Sequence, residues 1–161
     1  MSARLPRQPL DESSSHWLVC AAQAVESLHN WYLKAYRLTR AQLWTLLAIH
    51  QGDRQPAAIA RALGVNPAAV TRLVDQLVRK GYVRRSRTDG DRRFLSIELT
   101  EKAERDLPTL QSAAHRADLL LTKGLRPEQL EALRETARHV VGNARDQDPA
   151  GEDDPPSPDA G

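Results

Sequence analysis

Residues 56–81 read PAAIARALGVNPAAVTRLVDQLVRKG, and this stretch decides the fold. Pro56 and Pro67 each fit the first position of a helix, where the missing proline N–H costs nothing. Gly64 lies between the two helices and supplies a sharp turn, while Gly81 suits a left-handed cap after the second helix. The stretch therefore predicts a short helix, a tight turn and a longer helix, which is the spacing of a helix-turn-helix.

The longer helix, from Asn66 to Lys80, has one apolar face and one polar face. Apolar side chains recur at three- and four-residue steps, namely Val70, Leu73, Val74, Leu77 and Val78. The opposite face is small and weakly polar, and its candidate DNA-contacting residues are Asn66, Ala68, Ala69, Thr71, Arg72 and Gln76. Small residues allow a helix to enter the major groove, which is about 12 Å wide, and an arginine can bind guanine or phosphate there. This face is predicted to read duplex DNA.

A basic hairpin follows this helix. Tyr82–Thr88 reads as a strand, Asp89-Gly90 as a turn, and Arg93–Leu99 as a half-buried strand with alternating apolar residues. The candidate DNA contacts in the hairpin are Arg85, Arg87, Asp91, Arg92 and Arg93. A protruding arginine can enter the electronegative minor groove. We expect Asp91 to hold Arg93 in an extended rotamer, with Arg92 near phosphate.

The formal net charge of +2 conceals two segments of opposite sign. Residues 61–95 contain nine basic and three acidic residues, whereas residues 146–161 contain six acidic residues and no basic one. A local basic block suits a polyanion such as nucleic acid. The acidic tail has the composition of a disordered segment, and it either aids solubility or shields the basic block from non-specific DNA.

The remaining helices flank the helix-turn-helix. An apolar stripe over residues 12–36 predicts a helix that buries against more than its own core. Thr39 and Gln42 form a capping box for a helix that ends near His50. Thr100 caps a helix to about Lys123, in which Pro108 predicts a kink or a late start, and Pro127 opens the last helix. The predicted fold is mainly α with a small β-hairpin wing.

In this order of elements, the motifs resemble the MarR (multiple antibiotic resistance regulator) family. The residues that carry the resemblance are Leu38-Thr39, Gln42, Ile59-Ala60, Val70–Val74, Leu77, Lys80–Val83, Asp91–Arg93 and Leu99–Lys102. Ala103 stands where the family often has glycine. The resemblance implies a homodimer, with 12–36 and 101–145 as dimerisation helices and 37–100 as the DNA-binding lobe. Composition predicts that 1–11 is a loose arm and that 146–161 is a disordered tail. The resemblance also implies that Arg93 reaches the minor groove.

Many members of the family are repressors that a small phenolic or aromatic acid releases from DNA. A pocket of this kind would lie near the aromatic residues of the first two helices, which are Trp17, Trp31, Tyr32, Tyr36 and Trp44. Aromatic walls suit a flat anion, although such residues also pack cores and interfaces. Other members sense oxidants, and Cys20 is the one cysteine here. We expect Cys20 to be a buried, inert side chain, because only His16 offers a nearby cation.

Several other classes of protein are disfavoured. The five histidines show no ligand spacing, so we expect neither a metal nor another cofactor. No phosphate-binding loop and no nucleophile beside a base appears, so we do not expect an enzyme. No apolar run is long enough for a membrane span or a signal peptide, which predicts a cytoplasmic protein. The rival function is a winged-helix module that docks proteins, and a third is an architectural DNA binder without an effector.

Overall fold

The computed structural model describes residues 12–87 and 95–146. In the described ranges the helices are α1 (Ser14–Leu33), α2 (Arg40–His50), α3 (Pro56–Leu63), α4 (Pro67–Arg79), α5 (Glu101–Leu121) and α6 (Pro127–Asp146), and the strands are β1 (Val83–Arg87) and β2 (Leu95–Leu99). Elements α1 to α5 belong to one compact unit, and α6 belongs to a second unit that begins at Thr122. The predicted arm 1–11, hairpin tip 88–94 and tail from 147 lie outside the described residues.

Helix boundaries follow the predicted capping residues. The Thr39 side chain accepts from Gln42 N–H while the Gln42 side chain accepts from Thr39 N–H, so the capping box is confirmed. Asn66 accepts from Ala68 N–H at 2.8 Å and begins α4. Gly64 and Gly81 adopt φ values of 66° and 73°, in the left-handed region that glycine enters without a steric penalty. Local chemistry thus sets both ends of the helix-turn-helix.

The core of the first unit lies between α2, α3, α4, the hairpin and the first half of α5. Its fully buried members, each less than 2% exposed, include Leu43, Leu46, Ile59, Val70, Val74, Leu77, Ile97 and Leu110. In α4, Val70, Val74 and Leu77 are the buried positions, which is one narrow stripe at helical spacing. The other side of α4 is thereby left on the surface.

The hairpin is antiparallel, with Val83 paired to Leu99 and Arg85 paired to Ile97. Ile97 N–H also donates to Arg54 O at 2.9 Å, so the segment between α2 and α3 supports the free edge of β2. Val83 and Ile97 are buried and fix the base of the wing on the core. The wing therefore leaves the core beside α4.

Helices α1 and α5 pack against each other in the same unit. His29 is buried at this contact: its Nδ1–H donates to Val25 O at 2.8 Å, and its Nε2 lies 3.1 Å from Asp118 Oδ1. Glu26 on α1 pairs with Arg40 at the start of α2 at 2.6 Å. These polar contacts fix α1 relative to α5 and α2.

Four sequence predictions need correction. Val78 is 37% exposed, because the buried stripe of α4 is narrower than its apolar sequence suggests. Pro108 does not delay α5, which is continuous from Glu101 to Leu121. The first helix ends at Leu33 and continues as a 3-10 turn over Lys34–Tyr36, after which Arg37 adopts a left-handed φ of 54°. The first strand begins at Val83, one residue later than predicted.

Across residues 12–87 and 95–146, every helix is too short or too polar to cross a membrane.

Tyr82 joins the start of β1 to α5. Its hydroxyl donates to Asp106 Oδ2 at 3.2 Å, and Lys102 Nζ lies 4.0 Å above the centre of its ring. Burial, followed by the hydrogen bond to Asp106, raises the pKa of Tyr82 to about 12. The folded state thus favours the neutral phenol.

This raised pKa predicts a loss of stability in alkali. An unfolded tyrosine ionises with a pKa of about 10. The contribution of Tyr82 is therefore complete below pH 10 and is lost as the pH rises through 12. We expect the difference in unfolding free energy between wild type and Tyr82→Phe to narrow by about 1–2 kcal/mol between pH 9 and pH 12. Urea unfolding measures this difference, and a constant gap would contradict the assignment.

Candidate nucleic-acid interface

The exposed face of α4 forms the centre of the candidate interface. Ala68, Thr71, Arg72 and Arg79 are exposed on the side opposite Val70, Val74 and Leu77. Asn66 is exposed but its Oδ1 caps the helix, and Thr71 Oγ1 donates to Pro67 O at 3.2 Å. Ala69 and Gln76 are half-buried at the margins. We call the set Ala68, Thr71, Arg72 and Arg79 the reading face.

Helix α3 presents the reading face by packing behind α4. Ala60 is buried, and its small side chain allows the two helices to cross closely. Val65 N–H donates to Ala60 O at 3.0 Å across the turn at Gly64. The turn is therefore closed by backbone hydrogen bonds and holds α4 at a fixed angle to α3.

One flank of α4 is tied to α2 by a polar network centred on Gln42. Gln42 is buried; its Nε2 donates to Gln76 Oε1 at 2.6 Å, and its Oε1 accepts from Lys80 Nζ at 2.7 Å. Lys80 Nζ also donates to Arg37 O at 2.5 Å. Burial lowers the pKa of the Lys80 ammonium. Gln76, predicted to contact DNA, thus uses its side-chain oxygen within the protein.

The other flank of α4 is tied to the wing. Arg85 Nη2 lies 2.5 Å from Asp75 Oδ1, so β1 and α4 are joined by an ion pair. Asp75 and Arg85 are each about two-fifths exposed, at 41% and 39%. The reading face is therefore bordered by a side-chain contact on each side.

The opposite face of the wing carries a second ion pair. Glu98 on β2 lies 2.9 Å from Arg84 Nη2 and accepts from Ser86 Oγ at 2.7 Å. These hydrogen bonds, from Ser86 first and then from Arg84, lower the pKa of Glu98. This pair joins the two strands to each other rather than to α4.

The remaining predicted DNA contacts belong to the wing. Arg87 is the last residue of β1, while Asp91, Arg92 and Arg93 lie outside the described residues. The structure therefore brings Arg72, Gln76 and Arg85 to one side of the unit. The DNA contacts proposed for the hairpin tip stay predictions.

The predicted effector residues do not all meet within one chain. Trp31 and Tyr32 touch edge to face, with ring centres 4.9 Å apart. Trp17 and Trp31 are separated by about 21 Å along α1, from the rise of an α-helix. Tyr36 packs against the core, and Trp44 is exposed on α2. An effector pocket near these residues stays a prediction.

Cys20 is half-buried rather than buried, and its Sγ lies 3.5 Å from His16 Nε2. Among the described residues, no three histidine, cysteine or acidic side chains are grouped in a way that could hold a metal ion.

Three functional side chains were missed as partners by sequence analysis. The sequence indicated Gln42 as part of a capping box, Lys80 as one of the basic residues of 61–95, and Asp75 as one of the three acidic residues there, without a partner on another element for any of them. Each makes its contact with a residue on another element, as Lys80 does with Gln42 38 positions away. Only the excess of arginine and lysine in this segment pointed toward such pairs.

A helix-turn-helix followed by a two-stranded wing defines the winged helix-turn-helix class. A model of the MarR family matches residues 38–93. Among solved structures, a mutant of MarR from E. coli complexed with operator DNA is 26% identical, with a TM-score of 0.72, over 78% of this chain and 91% of that chain. BpsR from Bordetella bronchiseptica, whose DNA binding is regulated by 6-hydroxynicotinic acid, is 20% identical, with a TM-score of 0.76. The match covers 83% of this chain and 96% of the BpsR chain. CouR from Rhodococcus jostii, bound to p-coumaroyl-CoA, is 21% identical, with a TM-score of 0.74. The match covers 83% of this chain and 95% of the CouR chain.

Residues 38–93 are therefore similar to the MarR family of transcription regulators, and the fold of this chain is that of the MarR structures. Members of this family are transcription regulators rather than enzymes.

The Gln42 network predicts the cost of removing its centre. Gln42→Ala leaves the Lys80 ammonium and the Gln76 side-chain oxygen with unmet hydrogen bonds in a partly buried site. We expect the free energy of unfolding to fall by about 1–3 kcal/mol, as for other buried polar groups that lose a partner. Urea denaturation followed by circular dichroism measures this loss. Gln51→Ala, at an exposed position, is the control and should change the free energy of unfolding by less than about 0.5 kcal/mol. If both variants lose the same free energy of unfolding, the Gln42 network does not stabilise the fold.

Proposed function

We propose that the protein is a repressor that binds a pseudo-palindromic operator in duplex DNA as a homodimer. The observation that carries this proposal is the reading face of α4. It presents small and basic side chains on a helix whose opposite stripe is buried and whose two flanks are fixed. Such a helix can approach base edges without first being ordered.

The dimensions and chemistry of the reading face suit the major groove. A helix with its side chains is about 10–12 Å across, and the groove is about 12 Å wide. Ala68 allows close approach, while Arg72 can donate two hydrogen bonds to guanine O6 and N7. Arg79 lies two turns beyond Arg72 on the same face and suits a phosphate. Thr71 offers a methyl group to thymine.

The wing supplies the second contact in this proposal. Arg93 enters the minor groove, Asp91 holds Arg93 extended, and Arg92 binds phosphate, as the resemblance to the family implies. The structure of the MarR mutant with operator DNA supports this use of the fold, since that chain has the same fold and is 26% identical to this one.

Exposed apolar side chains support self-association. On α1, Trp17, Leu18 and Val19 are exposed in sequence, and Trp31 is 66% exposed. On α6, Leu133, Val140 and Val141 are exposed. Apolar surface of this extent on a helix is commonly covered by another chain. Two copies would place their α4 helices in half-sites one helical turn apart.

A small aromatic acid is the effector we propose, acting near Trp31 and Tyr32. The support is the edge-to-face pair of these rings together with the ligands named for BpsR and CouR. Oxidant sensing through Cys20 is the alternative, supported by its contact with His16. We also propose a cytoplasmic location, because a regulator of this kind acts on DNA.

Arg72→Ala tests the assignment of the reading face. Loss of a bidentate base contact costs about 1–3 kcal/mol, so affinity for the duplex upstream of the protein's own gene should fall about ten- to a hundredfold. Fluorescence anisotropy measures the affinity. Arg116→Ala removes the same charge from exposed α5 and is the control. If both variants bind like wild type, or if wild type prefers the duplex no more than a scrambled one, the proposed function is wrong.

Val19→Glu tests the homodimer. A carboxylate in an apolar interface is costly to desolvate, so we expect this variant to be a monomer at concentrations where wild type sediments as a dimer of two 18.0 kDa chains. Val65→Glu, at an exposed valine outside α1 and α6, should remain a dimer. Analytical ultracentrifugation distinguishes the two states. A monomeric wild type, or identical behaviour of the two variants, would rule out α1 as the interface.

A further inference from the structure

The ion pair between Asp75 and Arg85 places an acidic side chain beside the face that is proposed to bind DNA. Asp75 is the one acidic residue of α4, and it borders the reading face on the side of the wing. A carboxylate at this position repels the phosphates of any duplex that approaches. Exposed ion pairs also contribute little to folding stability. Neither the stability of α4 nor simple attraction to DNA accounts for an aspartate there.

The geometry of β1 shows that the Asp75–Arg85 ion pair joins this strand to α4. Side chains alternate along a strand, so Val83 and Arg85 point to the same face of the hairpin. Val83 is buried and fixes the base of the strand on the core. Arg85, two residues further along β1, reaches Asp75 Oδ1 at 2.5 Å. The pair is therefore the next contact outward from the core between α4 and the wing.

We propose that Asp75 is a positioning residue for DNA recognition, which holds β1 against α4 through Arg85 and so sets the spacing between helix and wing. This inference rests on the proposed function, in which those two elements occupy neighbouring grooves of one duplex. The pair persists in the complex, so Arg85 binds Asp75 and not phosphate. The spacing matches operator DNA, and a duplex of other shape is bound less well because the wing cannot move to meet it.

The pair also limits binding to DNA in general. With Asp75 ionised and Arg85 engaged, two charges near the groove cancel, and the remaining attraction comes from residues such as Arg72 and Arg79. Loss of the pair would release Arg85 to hold a phosphate and would remove one repulsive charge. Specific and non-specific binding should then respond in opposite directions, which a merely structural role would not produce.

The wing contains a matched control for this pair. Arg84 and Glu98 form an ion pair of similar type on the opposite face of the same hairpin, at 2.9 Å. That pair joins β1 to β2 and does not involve α4. Glu98→Gln changes the net charge by the same amount as Asp75→Asn.

The experiment compares wild type, D75N, the exchanged pair D75R/R85D and E98Q. Fluorescence anisotropy gives the affinity of each for the duplex upstream of the protein's own gene and for a scrambled duplex, over a series of KCl concentrations, and circular dichroism confirms folding. For D75N we expect tighter binding to the scrambled duplex, by about three- to tenfold, and a ratio of specific to scrambled affinity at least about tenfold lower. The slope of log affinity against log salt should steepen by about 0.9, the value for one additional phosphate contact.

The exchanged pair should restore the wild-type ratio to within about threefold, and E98Q should keep it within about twofold, because neither breaks the contact between α4 and β1. In one outcome, the wild type prefers the upstream duplex to the scrambled one while D75N shows the same ratio of the two affinities. That result overturns the inference about Asp75 and leaves the proposed function intact. An exchanged pair no better than D75N, or an E98Q ratio as low as that of D75N, also overturns it. A wild type that does not discriminate between the duplexes contradicts the proposed function itself, and the inference fails with it.

Discussion

The burial of one apolar stripe of α4 fixes the orientation of this helix and therefore the position of the reading face. Val70, Val74 and Leu77 are buried in a core shared with α2 and α3, and that contact fixes the rotation of α4 about its own axis. Burial of each such side chain contributes roughly 1.5–3 kcal/mol, more than an exposed ion pair such as Asp75–Arg85 contributes. Because three buried positions determine the inward side, the outward side is determined as well. The reading face is thus a consequence of core packing.

Polar contacts further restrict the orientation of α4, which core packing sets first. The hydrophobic stripe resists rotation of α4, but apolar contacts are not directional and leave small tilts possible. The Gln42 network on one flank and the Asp75–Arg85 pair on the other restrict those tilts through hydrogen bonds of defined geometry. The network also reaches Arg37, whose left-handed φ of 54° is costly for a residue other than glycine. The hydrogen bond from Lys80 to the Arg37 carbonyl helps to hold that conformation.

Features with local causes could be predicted from the sequence, and those that depend on tertiary placement could not. The caps at Thr39, Gly64 and Asn66 follow from the residue itself and its nearest neighbours, and all three are confirmed. Val78 lies on the apolar face of α4 in sequence and yet is 37% exposed, because periodicity locates the centre of an apolar stripe but not its width. The partners of Asp75 and Lys80 lie on other elements, so no spacing rule identifies them. Trp17 and Trp31 share one stripe in sequence, yet a common stripe does not bring together residues that are separated by about four turns, or about 21 Å, along the helix axis.

If α4 reads DNA, its exposed face lies against the bases of a bound duplex. A photoreactive benzoylphenylalanine placed at Ala68, the small residue of the reading face, reports contact within a few ångströms on irradiation with the upstream duplex. We predict efficient cross-links to bases from position 68 and almost none from the same group at Ser112, which is exposed on α5. Equal cross-linking from both positions, or none from position 68 in a sample that binds the duplex, would contradict the central claim.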